Sequence, residues 1–191
     1  MLFRTTLDEY SSALNGITME LLKLISVNLE LGHEEIRKMY ENGIQGFRIN
    51  YYPPCPEAEK VLGLTPHSDA TGLTLLVQVN EVQGLQIKKN SKWVPIKPVH
   101  GSIIVNIGDV MEIMSNGTYK SVEHRAVVDF NNKRLSIVAI HNPDLEVMIG
   151  PLTQLLKETT PKYKTMNGVE YIKMILNNKL DGKSNLDQMK I

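Results

Sequence analysis

The sequence predicts a mainly β fold, a barrel or a double-sheet jelly roll, with helices flanking the strands. Two observations support this prediction. Short segments of strand character follow one another between residues 46 and 141, separated by turns that contain Gly, Asn or Pro, which is typical of closed or two-layered β structures. A long amphipathic segment precedes them and a shorter one follows, so helices surround the strands and do not alternate with them.

The predicted helices are read from the spacing of apolar side chains. Residues 7–31 carry an apolar stripe that recurs every three or four residues, which indicates a helix lying against a sheet, with a coiled-coil seam as the alternative. We further predict a shorter helical piece at 32–42, one helical turn at 109–114 and a C-terminal helix at 169–179. Residues 181–191 are predicted to form a polar tail.

The first predicted strand runs from Gly46 to Tyr52, where apolar and polar residues alternate. It ends at the prolines of residues 53–56, because proline cannot donate to a strand ladder. The later strand predictions share short apolar or alternating runs bounded by turns, and they cover residues 72–79, 85–89, 93–97, 102–107, 121–130 and 134–141.

Composition excludes several classes of partner. Lys and Arg together number 21 and so do Asp and Glu, so no net charge attracts nucleic acid or an anionic membrane. No apolar run approaches the roughly 20 residues that span a bilayer, and the N-terminus lacks a secretory pattern. The single cysteine, Cys55, cannot form an internal disulfide, which suits a reducing compartment. We therefore expect a cytoplasmic protein that binds neither nucleic acid nor membranes; the sequence carries no indication of oligomeric state.

Three residues form a candidate metal site. His67 and Asp69 are two residues apart, so in an extended backbone their side chains lie on the same face. His124 can supply a third ligand. Two imidazoles and one carboxylate make the facial triad of non-haem Fe(II) oxygenases, which leaves positions open for a cosubstrate and dioxygen.

A candidate carboxylate receptor follows at the end of the same stretch. Arg134 and Ser136 are again two apart, ten residues after His124, and a guanidinium with a hydroxyl suits a carboxylate. Ser136 precedes an apolar run, so we expect it to be buried and to need a partner. Asn50 and Tyr52 share a face with Arg48; they are either solvated or line the same cavity.

The competing interpretations are less consistent with these residues. His33, His100 and His141 lack an apt neighbour and are interpreted as ordinary core or surface residues rather than ligands. The sequence contains no G-x-S-x-G elbow, Walker loop or H-E-x-x-H motif. A zinc hydrolase could use two His and one Asp, but it would not account for the arginine and the serine.

Together these residues resemble the plant 2-oxoglutarate- and Fe(II)-dependent dioxygenases, in the branch of senescence-related oxygenases and alkaloid O-demethylases. The resemblance covers nearly the whole chain, and it is carried by residues 48–56, 62–69, 84–87, 106–109, 119–125, 134–136 and 179–184. It implies a double-stranded β-helix, a cupin-like jelly roll. The implied segments are helical support at 1–42, the dioxygenase domain at 43–143 and a C-terminal helical segment and tail at 144–191.

The resemblance also implies the chemistry. Fe(II) would be held by His67, Asp69 and His124. The cosubstrate 2-oxoglutarate would be bound by Arg134 and Ser136 with help from Asn50 and Tyr52 (these four being the expected cosubstrate residues). With dioxygen, and with ascorbate in support, 2-oxoglutarate would be decarboxylated to succinate and CO₂ while a small plant specialised metabolite is hydroxylated or O-demethylated. No residue beyond the metal centre is expected to be catalytic.

Two departures from the family pattern shape the expectations. Family members carry a region of more than a hundred residues before the long helix, so we expect this chain to be a truncated form. Ile140 stands where many relatives have a phenylalanine that can stack on an aromatic substrate; it keeps an apolar wall without the ring face.

Two alternatives to this function remain at this stage. One is a catalytically impaired remnant that binds metal without turnover, and the other is a relative of aminocyclopropanecarboxylate oxidase, which uses ascorbate without 2-oxoglutarate.

Overall fold

Two four-stranded antiparallel sheets form the centre of the protein in the computed structural model, which describes residues 2–157, 159–179 and 181–191. Their strands are β1 (Ile44–Tyr52), β2 (Leu62–His67), β3 (Leu73–Gln78), β4 (Leu85–Lys89), β5 (Lys92–Pro95), β6 (Ile103–Ile107), β7 (His124–Val127) and β8 (Arg134–Asn142). The order is β1-β8-β3-β6 in the first sheet and β2-β7-β4-β5 in the second. A cavity lies between the sheets and is lined by residues of both. This confirms the predicted jelly roll.

The other elements of the described chain are helices, a short strand pair and a 3₁₀ turn. A short pair of strands, β9 (Met148–Ile149) and β10 (Met166–Asn167), and a 3₁₀ turn at Thr153–Leu156 follow β8. The helices are α1 (Leu2–Asn28), α2 (Glu35–Lys38), α3 (Asp109–Met114), α4 (Gly168–Asn177) and α5 (Ser184–Met189). No helix of the described residues is long and apolar enough to cross a membrane.

The two faces of strand β8 are buried in different places, one in the cavity between the sheets and the other in the main core. Side chains alternate across a strand, so Arg134 and Ser136 line the cavity between the sheets while Ala139 is buried in the main core. That core also contains residues of α1, α3 and α5, with Leu22, Met111 and Leu186 fully buried. The apolar character of 135–140 therefore reflects burial on both faces of the sheet.

Several predicted boundaries were wrong. Helix α1 covers Leu2–Asn28, so it begins and ends earlier than predicted. It ends just before Glu30, whose φ of 57° lies in the left-handed region. The helical piece predicted at 32–42 is only the single turn of α2, and the strand predicted at 121–130 is limited to His124–Val127.

The largest correction concerns the polar tail predicted at 181–191. It contains α5, because Leu186 and Met189 lie three residues apart and are both fully buried in the core. Strand β2 was not predicted either. Its pairing with β7 shifts register twice, between Leu62 and Leu64 and between Leu64 and His67, so a regular alternation is not visible in the sequence.

Candidate metal centre

The structure brings His67, Asp69 and His124 together at the end of the second sheet. His67 closes β2 and is paired directly opposite His124, the first residue of β7. Asp69 Oδ1 lies 3.8 Å from His67 Nε2 and 3.6 Å from His124 Nε2, and one ligand atom from each of the three residues lies within 4.8 Å of the others. These distances suit a single metal ion between three donors, and the predicted cluster is therefore present.

Backbone hydrogen bonds orient both imidazole rings. The Nδ1 atom of His67 lies 2.7 Å from the carbonyl oxygen of Thr65, and that of His124 lies 3.0 Å from the carbonyl oxygen of Val122. An Nδ1–H donated to a carbonyl leaves the Nε2 lone pair free as a metal ligand. Burial, together with the neighbouring His124 ring, lowers the pKa of His67, which favours the neutral form that binds a cation.

Asp69 is held by groups that the sequence analysis had not assigned to the site. The amide of Asn106 donates to Asp69 Oδ2 at 3.4 Å, leaving Oδ1 directed at the two histidines. The backbone N–H of Asp109 donates to the carbonyl oxygen of Asp69 at 2.7 Å, and Ser68 Oγ donates to Asp109 Oδ2 at 2.9 Å. The start of α3 therefore fixes the loop that carries the carboxylate.

A buried ion-pair network lies behind this loop. Burial opposes ionisation of Glu112, but hydrogen bonds from Lys183, from Tyr163 and from the Ser121 amide outweigh it and lower the pKa of Glu112 to about 2. Burial raises the pKa of Asp109 to about 6 despite the hydrogen bond from Ser68. Glu112 is therefore ionised at neutral pH, which suits its ion pair with Lys183 at 2.9 Å.

Arg134 and Ser136 form the second half of the site. Both are buried, with 2% and 1% of their surface exposed, and both line the cavity that contains the triad. Arg134 Nη2 donates to Gln78 Oε1 at 3.1 Å, but Arg134 Nε and Ser136 Oγ have no hydrogen-bond partner among the described residues. No acidic residue of the described chain pairs with Arg134 either.

These unpartnered atoms test whether the site fits an organic diacid. A buried guanidinium without a counter-ion costs free energy, and a buried hydroxyl without a partner costs about 1 to 3 kcal/mol. A carboxylate placed between Arg134 and Ser136 would satisfy both, whereas an apolar ligand would satisfy neither. The side chains therefore fit 2-oxoglutarate, and the two-His, one-Asp donor set fits Fe(II).

Asn50 and Tyr52 belong to the same cavity. Across the β1–β8 ladder, Asn50 is opposite Ser136 and Tyr52 is opposite Arg134, and all four line the cavity. The Tyr52 ring centre lies 5.5 Å from the Arg134 guanidinium carbon, a cation–π contact. Of the two interpretations left open by the sequence, the structure therefore favours the cavity-lining one.

The rest of the cavity wall contains both apolar and polar side chains. Ile140 lines it, as expected, together with Leu64, Leu76 and Val138. Arg48, to which the sequence analysis assigned no role, also lines the cavity, although its side chain is exposed. Its position on the face of Asn50, at a spacing of two residues, was the sequence signal for this placement.

The three other histidines lie outside this cavity. His141 is buried and contacts Thr18 of α1 at 3.3 Å and Gln45 Nε2 at 3.0 Å, a structural position at the seam between α1 and β8. Neither His33 nor His100 lines the cavity. Both are exposed, whereas His141 is the one of the three that is buried.

Comparison with known proteins identifies relatives over the full chain. The model of the 2OG-Fe(II) oxygenase superfamily matches residues 43–143. S-norcoclaurine synthase 1 from Coptis japonica is 51% identical over 189 residues, which cover 99% of this chain and 53% of that protein. Codeine O-demethylase from Papaver somniferum is 48% identical and covers 99% of this chain and 53% of that protein. Oxoglutarate-dependent flavonoid 7-O-demethylase 1 from Ocimum basilicum is 46% identical.

Solved structures agree with this grouping. A crystal structure of JOX2 in complex with 2OG, Fe and JA matches with a TM-score of 0.93 at 37% identity, covering 98% of this chain and 56% of that one. The rice dioxygenase for auxin oxidation matches with a TM-score of 0.86 at 22% identity, which shows the shared fold. The chain spans about half the length of the curated relatives it matches. From its sequence and its fold, the chain belongs to the 2OG-Fe(II) oxygenase superfamily.

Proposed function

We propose that this chain is the catalytic core of a 2-oxoglutarate- and Fe(II)-dependent dioxygenase that hydroxylates or O-demethylates a small plant specialised metabolite. The observation that carries the proposal is the convergence of two half-sites in one cavity. Three side chains that could hold a metal ion line this cavity. Its wall also contains the buried Arg134 guanidinium, whose Nε has no hydrogen-bond partner in the described structure, and the Ser136 hydroxyl, which has none there either.

In this proposal His67, Asp69 and His124 hold Fe(II). Bound Fe(II) supplies the activation of dioxygen that couples decarboxylation of 2-oxoglutarate, giving succinate and CO₂, to oxidation of the substrate. The protein contributes orientation. Carbonyl acceptors at Thr65 and Val122 fix the imidazole rings, and Asn106 restrains the Asp69 carboxylate, so the ligands are arranged before the metal binds.

Arg134 and Ser136 bind the distal carboxylate of 2-oxoglutarate. The guanidinium can donate to it from Nε, which has no partner in the described structure, and from an Nη hydrogen, because each Nη carries two hydrogens and Gln78 accepts from Nη2 through one bond only. Tyr52 packs against the guanidinium, and Asn50 adds an amide beside Ser136. The buried setting strengthens these polar contacts, since water competes less for them.

The substrate class is inferred from the cavity wall and the relatives. Among the similar proteins are enzymes named as flavonoid 7-O-demethylase and codeine O-demethylase. The apolar side chains Leu64, Leu76, Val138 and Ile140 offer a wall without an aromatic face. We therefore propose a methoxylated or hydroxylatable flavonoid or alkaloid as the substrate class, held by apolar contact at Ile140.

The test is a coupled assay of the purified chain. With Fe(II), 2-oxoglutarate and ascorbate, we expect succinate to form in step with oxidation of a member of a flavonoid and alkaloid panel. Asp69→Ala should reduce this activity more than about a hundredfold, because loss of an outer-shell partner alone typically costs 10- to 100-fold and Asp69 is a direct ligand in this proposal. Asp8→Ala, at a carboxylate 72% exposed on α1, is the matched control and should retain activity.

Three outcomes would change the assignment. An Asp69→Ala protein as active as the parent would contradict the metal site. Tight binding of Fe(II) and 2-oxoglutarate without substrate-dependent succinate across the panel would favour the impaired, metal-binding alternative. Full turnover without 2-oxoglutarate would favour chemistry like that of aminocyclopropanecarboxylate oxidase.

A further inference from the structure

The C-terminal tail closes the free edge of the strand that carries His67. Strand β2 is the edge strand of its sheet and pairs with β7 on one side only. On its other side, Gly182 N–H donates to the carbonyl oxygen of Pro66 at 3.0 Å, and Gly182 accepts from the N–H of Ser68 at 2.9 Å. These two hydrogen bonds bracket His67, and they form a parallel bridge between His67 and Gly182.

The next residue of the tail connects to the segment before His124. Lys183 Nζ donates to Glu112 Oε2 at 2.9 Å and to the carbonyl oxygen of Ser121 at 3.1 Å. The Lys183 side chain is 26% exposed and that of Glu112 only 3%. Ser121 stands three residues before His124, and its N–H donates to the same Glu112 carboxylate at 2.7 Å. Lys183 thus links the tail to α3 and to the backbone that leads into the second histidine.

Through α3 the same residue is linked to Asp69. Glu112 lies in the helix whose first residue, Asp109, donates its N–H to the Asp69 carbonyl oxygen and accepts from Ser68 Oγ. The ion pair between Lys183 and Glu112 therefore joins the tail to the helix that restrains the third ligand. All three metal-ligand segments are connected to two adjacent tail residues.

The tail itself is held by the main core. Leu186 and Met189 of α5 are fully buried, and the Met189 carbonyl oxygen accepts from the N–H of Lys164 at 2.7 Å. Gly182 has φ +51°, and a Cβ there would meet only Glu123 at 3.8 Å. Glycine is favoured at residue 182 because of this left-handed backbone conformation, and not because a larger side chain would lack space.

We propose that Gly182 and Lys183 are positioning residues of the metal site, which set the spacing of His67, Asp69 and His124 from outside the cavity. This inference rests on the proposed function, since it assumes that those three residues bind a metal. Neither residue touches the metal, so the predicted effect is on the affinity and geometry of the site. Loss of such outer contacts typically weakens metal binding about 10- to 100-fold.

The first test is Lys183→Met in the full chain, with Co(II) as an air-stable probe for Fe(II). We expect Co(II) affinity, measured from visible absorption, to fall about tenfold or more. The exchange rate of the Ser68 amide, which donates to Gly182, should rise in the metal-free protein. Lys190→Met is the matched control, because Lys190 pairs with Asp187 at a surface where both are more than half exposed, and it should change neither quantity.

A second pair of variants keeps the proposal testable if Lys183→Met does not fold. Gly182→Ala and Gly101→Ala both place a Cβ on a left-handed backbone, with φ +51° and +69°, and neither meets a close steric contact. Both should lower the melting temperature by a similar amount. Only Gly182→Ala should weaken Co(II) binding severalfold, since only Gly182 lies beside a ligand.

The outcomes separate this inference from the proposed function. If wild type fails to bind Co(II), or if Asp69→Ala binds it equally well, the proposed function is wrong and the inference with it. If wild-type binding depends on Asp69 but Lys183→Met and Gly182→Ala bind Co(II) like their controls, the inference alone is wrong. A loss of thermal stability with unchanged Co(II) affinity would likewise show a purely structural tail and overturn it.

Discussion

Two residues of the cavity lower the stability of the ligand-free fold and provide groups that can bind a ligand. Arg134 Nε and Ser136 Oγ are buried without hydrogen-bond partners in the described structure, although most buried polar groups in folded proteins are satisfied. Each unsatisfied group costs the fold about 1 to 3 kcal/mol. A ligand carboxylate would recover this cost, which explains why two polar side chains stand beside Val138 and Ile140 on the cavity face of β8.

Ser136→Ala should therefore have opposite effects on stability and binding. Removal of an unsatisfied hydroxyl should raise the free energy of unfolding of the metal-free protein by about 1 kcal/mol. The same change should weaken 2-oxoglutarate binding about fivefold to tenfold, because one hydrogen bond to the carboxylate is lost. Urea unfolding and anaerobic calorimetry of the Co(II)-loaded protein measure the two effects.

Ser26→Ala is the matched control for this prediction. Ser26 is also fully buried, but its hydroxyl donates to the Leu22 carbonyl oxygen and accepts from the Ile36 N–H. Its loss should lower stability by about 1 kcal/mol and leave 2-oxoglutarate affinity unchanged. A Ser136→Ala protein that is destabilised like Ser26→Ala would contradict the proposed role of Ser136.

Gly84→Ala should move the Arg134 side chain while leaving residue 134 an arginine. A Cβ at residue 84 would lie 2.6 Å from Arg134 Cδ and 2.9 Å from the Val127 carbonyl oxygen. The strand backbone around residues 84 and 127 cannot easily move away from the new Cβ. The Arg134 side chain must therefore shift, and its guanidinium shifts with it. We expect 2-oxoglutarate affinity to fall about tenfold or more, given the strength of charge-assisted bidentate contacts. Equal affinity in calorimetry would show that the guanidinium does not bind the carboxylate.

Much of the site was predictable from pairs of residues two apart. His67 with Asp69, and Arg134 with Ser136, share strand faces by local geometry alone. Asn106, Asp109 and Gly84 were not assigned to the site, because their contacts arise from pairing between strands and loops that are distant in sequence. Their positions in motifs that carried the family resemblance were the only available signal.

At the scale of elements, the seam between α1 and β8 contains the most unusual histidine. His141 is 3% exposed and lies between Thr18 and Gln45, away from the cavity. Burial lowers its pKa from 6.5 to about 4. It is thus held neutral at a position where α1 crosses the first sheet.

This seam predicts a pH dependence of stability. Below pH 6.5 the unfolded chain binds a proton at His141 that the folded chain does not bind until about pH 4. The free energy of unfolding should therefore fall as the pH falls from 6.5 to about 4. Above pH 6.5 His141 should contribute no pH dependence. His141→Gln should reduce the slope by roughly 1 kcal/mol per pH unit after allowance for solvent screening.

Urea unfolding between pH 4 and pH 7 measures that slope. His100→Gln, at an exposed loop position, is the control and should leave the slope unchanged. Because other groups titrate in the same window, the comparison is between each variant and the parent at each pH. A His141→Gln slope equal to that of the parent would show that the seam does not exclude the proton.

Elements with a regular period were predicted better than elements defined by tertiary contact. The α1 stripe and the strands at 85–89 and 134–141 follow from periodicity. Strand β2 did not, since its register shifts twice against β7. Helix α5 was not predicted, because its sequence has only two apolar residues that the fold buries fully, Leu186 and Met189. Its helical structure therefore depends on the surrounding core more than on a pattern in its own sequence.

At the scale of the whole molecule, the triad joins segments distant in the chain. His67 and His124 come from adjacent strands of the second sheet, while Arg134 and Ser136 come from the first. Ligands that bind between the sheets should therefore stabilise the complete fold. Binding to the folded state alone raises the free energy of unfolding in proportion to the logarithm of ligand concentration.

Co(II) with 2-oxoglutarate should consequently raise the melting temperature. At about a hundred times the dissociation constant, the free energy of unfolding rises by about 2.7 kcal/mol, which corresponds to roughly 5 to 10 °C for a chain of this size. Differential scanning fluorimetry measures the shift. Asp69→Ala should show little or none of it, whereas Asp8→Ala should show all of it; an equal shift in Asp69→Ala would place the metal elsewhere.

The most direct test of the central claim is an anaerobic crystal structure of this chain with Fe(II) and 2-oxoglutarate. The account predicts one iron ion bound by His67 Nε2, His124 Nε2 and Asp69 Oδ1, with the distal carboxylate of 2-oxoglutarate hydrogen-bonded to Arg134 and Ser136. Iron bound at other residues, or a carboxylate turned away from Arg134 and Ser136, would contradict it.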